Sequence, residues 1–348
     1  MNRDLLIIGN EPAAGAGALA AAALRPRVAL VVPPEQAESE GRPRNLRQVV
    51  ARLLDEAPPR RPSLADVHRE LAELARAELA AGERRLRAAG VEMLRGRARF
   101  LDEATVLVES ADEVWSLSAE LILIATGTRP DRPSYVPFGS PRIITADELR
   151  SWETLPARIA IVGGGATGRE HSRLFAALGS EVFVADARSA IDAEDEGADD
   201  DLPHPACLPN VTWRSGVEAI GAARLAGGGV SIALDDGGRI VADAVLWCTE
   251  RVGNTERLYL AAAGIVPDDR GRLWCDDDWR TWAPGIYAAG EVVGHPRWDE
   301  ADSGAASRIV EHALNVAVPC GAGGGFRRAA RPDGGARRVD RRLLSERH

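Results

Sequence analysis

The segment that most constrains this 348-residue chain is Gly163-Gly164-Gly165-Ala166-Thr167-Gly168. It follows an apolar run at 159–162 and precedes an amphipathic stretch at 169–178, so the glycines fall where a buried strand must turn into a helix. Gly163 allows a tight turn, Gly165 lets the backbone approach a diphosphate, and Gly168 lets the helix pack closely on the strand. The helix N-terminus adds unpaired N–H groups and a partial positive charge for phosphates. The next apolar run, 182–185, ends at Asp186, 18 residues beyond Gly168. A carboxylate there suits the ribose hydroxyls of NAD, whereas Arg188, two residues on, suits the 2′-phosphate of NADP. Residues 157 to about 248 are therefore expected to form a Rossmann unit holding a nicotinamide dinucleotide, NAD favoured and NADP left open.

A second unit of the same kind opens the chain. Apolar residues 5–8 end at Gly9, an alanine-rich helix follows at 13–24, and 28–32 is another apolar strand. Such continuous apolar strands suit a parallel sheet covered on both faces. Helices are predicted at 47–54 and 63–89, the second with Ser63 as N-cap and Gly90 after its end. Short antiparallel strands are expected at 94–100, 105–108 and 114–117, and a buried strand at 121–124 leads into Ala125-Thr126-Gly127. Beyond the glycine turn, 230–234 and 239–242 read as a hairpin, followed by strands at 244–248 and 285–288 and a helix at 304–317.

Bulk properties narrow the function classes. The net charge is −9, and all 43 basic residues are arginine, which reads as genome composition. No general electrostatic case exists for nucleic acid or an anionic membrane. Cys207, Cys248, Cys275 and Cys320 form no CxxC or CxxxxC pair, excluding a zinc knuckle or dithiol centre by spacing. No apolar run reaches the roughly 18–20 residues that span a bilayer, and the N-terminus opens directly into a strand, so a cytoplasmic protein without membrane contact is expected. From 321 to 348 the composition turns Gly/Arg-rich with eight arginines, and 317–348 reads as a disordered basic tail.

Several pieces, IIGNEPAAGAGALAAA, GRARFLDEATVLV, ILIATGTRP, SPRIITADEL, IAIVGGGATGREHSRLFAALG, VGNTERL and GIYAAGEVVGHP, stand in the order of a known family. Over about residues 1–316 the chain resembles the flavoprotein (pyridine nucleotide-disulfide) oxidoreductases, and within them the soluble pyridine nucleotide transhydrogenases. The resemblance implies an α/β fold of two Rossmann-like dinucleotide-binding domains. An FAD-type domain would comprise 1–150 and 272–316, with an NAD(P) domain, 151–271, inserted in it. Gly163, Gly165, Gly168, Glu170, Asp186 and Arg188 would serve NAD(P), Glu170 matching the glutamate of the hydride-transfer site. Gly9, Pro12, Ala14, Ala125, Thr126, Gly127, Gly290 and Glu291 would serve FAD.

The FAD half departs from the family pattern. After the first strand the chain reads Gly9-Asn10-Glu11-Pro12-Ala13-Ala14, with Glu11 where the diphosphate would approach bare backbone. One charge repulsion at about 4 Å and an effective dielectric near 20 amounts to about 4 kcal/mol, roughly a thousandfold in affinity. Val32 replaces the family's ribose-binding glutamate, and Glu291 replaces its ribityl-binding aspartate. Together these predict weakened or lost FAD binding. The segment from Val32 to Arg42-Pro43-Arg44 is shorter than the family's and lacks cysteine. The family's C-terminal dimerisation domain has no counterpart, so the expectation is a truncated or frameshifted end, leaving dimer formation open.

Other residues read blandly. His171 fits an aromatic packing position. His295 lies near the expected flavin edge and is the better proton-donor candidate, although no residue is assigned as catalytic. Cys248 reads as core. The acidic run 191–201 lacks binding-loop glycines and reads as a solvated loop, so no metal site is expected. Three readings compete: an FAD/NAD(P)-dependent oxidoreductase resembling soluble transhydrogenase; a degenerate NAD(H)-binding paralogue without flavin or catalysis, acting as a sensor or partner protein; and a decayed fragment that keeps the fold and no activity.

Overall fold

The structure, a computed structural model, describes residues 3–25, 27–34, 46–55, 62–189, 202–295, 304–316 and 337–338. The predicted loop after Val32, the acidic run 191–201, Cys320 and most of the basic tail lie outside the described residues. The chain divides into two compact units: Met1–Ser39, Ala80–Arg129 and Val252–His348 form unit 1, and Glu40–Leu79 with Pro130–Arg251 form unit 2. Against the expected divisions at 150/151 and 271/272, residues 130–150 group with unit 2 and residues 252–271 with unit 1.

Unit 1 is built on strands β1 (Arg3–Ile8), β2 (Val28–Val32), β3 (Glu92–Arg95), β4 (Arg97–Asp102), β5 (Thr105–Glu109) and β6 (Val114–Ile124). They form the order β3-β2-β1-β6-β5-β4, with Ile286–Ala288 and Arg337–Arg338 also paired to β6. The strands β3, β2, β1, the distal half of β6 and Ile286–Ala288 run parallel. β4, β5 and the proximal half of β6 form an antiparallel meander. Helix α1 (Pro12–Leu24) takes Pro12 at its first turn, where the missing N–H costs nothing. Its Ala14, Ala18 and Ala21 pack with Ala306, Ile309, Val310 and Ala313 in the same core. Small residues on α1 let the two helices approach closely, and Gly17 itself faces Val310.

Unit 2 contains helix α2 (Leu46–Asp55) and the first part of α3 (Leu64–Ala88), whose Leu64, Val67 and Leu71 lie in the core of unit 2, whereas Leu86, in its last turns, lies in that of unit 1. Ser63 starts α3: its Oγ accepts from Asp66 N, and Asp66 Oδ2 accepts from Ser63 N, a reciprocal cap of the kind expected. Its strands are β7 (Ile143–Thr145), β8 (Arg158–Val162), β9 (Glu181–Asp186), β10 (Val211–Ser215), β11 (Ala219–Arg224), β12 (Val230–Leu234), β13 (Arg239–Ala242) and β14 (Ala244–Trp247). The parallel sheet has the order β10-β9-β8-β14-β7, and β11-β12-β13 forms a separate antiparallel sheet. Helix α4 (Ala166–Leu178) follows β8, and helix α5 (Ala305–Val316) belongs to unit 1.

The two units thus share one plan. Each has a central strand entering a glycine turn and helix, a neighbour on one side, and a three-stranded antiparallel element preceding or including the strand that pairs on the other side. The expected α/β fold with two Rossmann-like units is borne out.

Three predicted details change. The strand foreseen at 94–100 is two strands broken at Gly96, where a side chain would meet Glu109 O and Val108. The first of them, β3, is parallel to β2 and not part of the meander. The strands foreseen at 114–117 and 121–124 are one, β6, because polar Ser118 and Glu120 interrupt the apolar run without interrupting the ladder.

Candidate functional site

In unit 2 the glycine turn sits between β8 and α4. Gly163 adopts φ +100°, a left-handed conformation that favours glycine. Its N–H donates to Ala185 O at 2.8 Å, tying the turn to the end of β9. A Cβ on Gly163 would overlap the Cys248 carbonyl, and one on Gly168 would overlap the Gly163 carbonyl, so neither tolerates a side chain. Gly165 differs: it is the N-cap of α4, makes no side-chain cap bond, and a Cβ there would meet nothing within 4 Å. That open side, next to the helix N-terminus, is where an anion gains the unsatisfied N–H groups.

Asp186 closes the other side. It is 1% exposed, and a Cβ on Gly164 would run into its carboxylate and into Trp213. Arg188 reaches back to it, Nε to Oδ1 at 3.1 Å and Nη2 to Oδ2 at 3.1 Å, and the Arg188 backbone N–H adds 3.2 Å to Oδ1. The backbone around the pair is pinned by Val217 N to Asp186 O and Gly216 N to Arg188 O. Structure therefore brings Gly163, Gly165, Gly168, Asp186 and Arg188 together at one end of the sheet. Glu170 lies half-buried on the first turns of α4.

His171 is fully buried, and its Nδ1–H donates to Thr167 O at 2.7 Å, consistent with a packing role. Cys248 is buried at the end of the strand, its carbonyl over Gly163. Two residues unmarked in sequence hold the frame: buried Arg173 donates to Pro203 O and Leu202 O, and Asn210 Nδ2 donates to Ala176 O and Ser180 O. Both act over roughly 30 residues of separation, beyond what local pattern reveals.

Unit 1 repeats the device. Gly9 has φ +141° and donates to Val31 O at 2.9 Å; a Cβ on it would overlap the Ala125 carbonyl. Since Gly9 bonds Val31 as Gly163 bonds Ala185, Val32 is the counterpart of Asp186, and Glu11 that of Gly165. Val32 is buried among core residues and its side chain offers no acceptor. Pro12 and Ala14 lie on the first turn of α1, where Ala14 N donates to Glu11 O.

Ala125-Thr126-Gly127 follows β6, and Asn254 clamps it by donating Nδ2 to Thr126 O and N to Gly127 O, both at 3.0 Å. Thr128 Oγ1 donates to Glu291 Oε2. Gly290, φ +82°, faces Ala13. His295 is exposed and lies against Trp274, ring centroids 5.3 Å apart.

The cradle fits a dinucleotide: only glycine is admissible at position 9, and the Thr126 hydroxyl is buried with no hydrogen-bond partner. Glu11 is the exception, its side chain lying across Gly127 with Cδ 2.6 Å from where a Cβ on Gly127 would stand. Among the described residues no cluster of His, Cys, Asp and Glu could hold a metal ion, and no helix is long and apolar enough to cross a membrane.

Residues 3–313 match the family described as pyridine nucleotide-disulphide oxidoreductase. The chain belongs to that family. Among curated relatives, it is 38% identical over 229 residues to the soluble pyridine nucleotide transhydrogenase of Pseudomonas aeruginosa strain LESB58, covering 64% of this chain and 49% of the relative. It is 36% identical over 209 residues to the transhydrogenase of Mycobacterium bovis BCG Pasteur, covering 59% and 44%. The chain thus spans about half the length of the curated relatives it matches.

Among solved structures, LpdA from Mycobacterium tuberculosis aligns with TM-score 0.73 at 25% identity, covering 91% of this chain and 72% of that one. The HOCl-induced flavoprotein disulfide reductase RclA of Escherichia coli, as its Cu(II) complex, aligns with TM-score 0.71 at 19% identity, covering 91% and 70%, a likeness of fold. The resemblance read from the sequence motifs is borne out.

Proposed function

We propose that this family member is an FAD/NAD(P)-dependent oxidoreductase acting in hydride transfer between nicotinamide and flavin, as the soluble transhydrogenases among its relatives suggest. One observation carries the reading: the Gly163 turn keeps its ligand side open at Gly165 while Asp186 stands buried at the end of the adjacent strand. The α4 N-terminus would hold the diphosphate through its backbone N–H groups, with no cationic side chain needed. Asp186 would accept from the adenosine ribose hydroxyls, and Arg188 stands ready for a 2′-phosphate. Glu170 would face the nicotinamide end, by the family's pattern.

In unit 1 Gly9, Pro12, Ala14, Ala125, Thr126, Gly127, Gly290 and Glu291 would hold FAD, whose isoalloxazine supplies a two-electron acceptor when bound. Thr128 fixes the Glu291 carboxylate, and Asn254 fixes the 125–127 backbone, so both are set before a ligand arrives. The test is twofold. Titration with NADH, followed by fluorescence, should saturate at one site per chain, and FAD addition should give absorbance near 450 nm that NADH bleaches. A chain that binds neither dinucleotide overturns the proposal. Binding of NADH alone, with no flavin uptake, would leave the flavin-less paralogue.

A further inference from the structure

The two glycine turns differ at one position in a way that bears on how flavin is held, and this inference rests on the flavin reading above. In unit 2 the third turn residue is Gly165, with nothing within 4 Å on its ligand side. In unit 1 the same place belongs to Glu11. Its Cγ, Cδ and Oε1 all lie within 2.5–2.6 Å of where a Cβ on Gly127 would stand, so the side chain is laid along that glycine. Gly127 has φ +65° and no side chain, which makes room for it.

Although Glu11 is the N-cap of α1, its side chain makes no capping bond. Its carboxylate is aimed across the turn and not into the helix. A second carboxylate, Glu291, meets the next residue of the same segment through Thr128. Two acidic groups therefore converge on 127–128, beside the helix end that would otherwise receive a diphosphate. Val32, in the place of Asp186, removes the ribose acceptor as well.

We propose that Glu11 is a built-in competitor for the flavin diphosphate, so that unit 1 binds FAD as an exchangeable ligand and not as a permanently held group. The cradle itself remains, since Gly9 and the 125–127 backbone keep the shape a dinucleotide needs. What changes is the affinity. A unit charge about 4 Å from a phosphate, at an effective dielectric near 20, weakens binding by up to about a thousandfold. Rotation of the side chain away from Gly127 recovers part of this, which sets the expected effect at about a hundredfold or more.

The full-length chain, stripped of flavin, is titrated with FAD by fluorescence quenching and then passed through a desalting column, alongside E11G and E11Q. The wild type should lose its flavin on the column. E11G should bind about a hundredfold tighter and stay yellow, and E11Q, of the same length without charge, should fall between them. Wild-type protein that keeps one flavin per chain, with E11G no tighter, overturns the proposal and leaves the oxidoreductase reading intact. E11Q no tighter than wild type overturns the charge argument. Failure of all three to take up FAD overturns the proposal together with the flavin reading, while NADH titration reports unit 2 separately.

Discussion

The Arg188 guanidinium lies along both carboxylate oxygens of Asp186, Nε to Oδ1 and Nη2 to Oδ2, each at 3.1 Å. The acid is buried, with its side chain 2% exposed, while the arginine side chain is 27% exposed. On the function proposed above, the buried acid would meet a 2′-hydroxyl and the more exposed arginine a 2′-phosphate.

D186A should weaken NADH more than NADPH, by about tenfold or more, as a charge-assisted hydrogen-bond acceptor is lost. R188A should weaken NADPH and leave NADH within a few-fold. Calorimetric titration of each variant with both dinucleotides checks this, and the reverse ordering would count against the assignment of the adenosine end.

Gly165 and Gly168 make a contrasting pair. At Gly168 a methyl would strike the Gly163 carbonyl, so G168A should destabilise unit 2 by about 1–3 kcal/mol through overpacking. At Gly165 the methyl enters open space at an extended backbone, φ −61° and ψ −176°. G165A should therefore shift stability by less than about 1 kcal/mol and yet lower NADH affinity clearly. Thermal melts and NADH titrations of the two variants separate fold from ligand contact.

His68 gives a pH dependence. Burial, with Arg150 nearby, holds its pKa below the ordinary histidine value. The unfolded chain therefore takes up the proton first as pH falls, so the contribution of His68 to stability is intact above about pH 6.5 and is lost as pH drops through that value. Below the lowered folded-state pKa the loss levels off. Between pH 7.5 and 5.5 the Tm of the wild type should fall more than that of H68Q; parallel curves would contradict the desolvation argument.

The thiols should differ sharply. Burial, with Asp276 beside it, pushes the Cys275 thiol up to about 12, leaving almost no thiolate at neutral pH. Cys207 is exposed, whereas Cys248 and Cys275 are buried. Brief alkylation at pH 8 followed by peptide mass spectrometry should find Cys207 modified and Cys275 and Cys248 protected until denaturant is added. Rapid native labelling of Cys275 would contradict its burial.

Much of this fold was legible because its signals are local. Continuous apolar runs, glycines after the central strand of each unit, and Asp186 at a fixed remove from Gly168 needed no tertiary knowledge. What escaped notice depends on distant partners. Val211–Ser215 has no continuous apolar run to mark it as a strand, yet it pairs in parallel with β9. Arg173 and Asn254 look like surface residues until their carbonyl partners are known. Glu11 was visible as an anomaly, but the sequence could not say where its side chain lies; only the contact across Gly127 does.

The interleaving of the two units along the chain has a consequence for biosynthesis. Unit 2 is complete once Arg251 has been made, whereas unit 1 still lacks Ile286–Ala288, which pairs with β6, and α5, which packs on α1. At about 5–20 residues per second, the 65 residues from 251 to 316 take roughly 3 to 13 seconds to emerge. Throughout that interval on the ribosome the amino-terminal strands, though synthesised first, wait with one face of α1 uncovered. Of the two units, the one holding the earlier strands is thus the later to gather all its elements, so its folding must wait on segments made after unit 2.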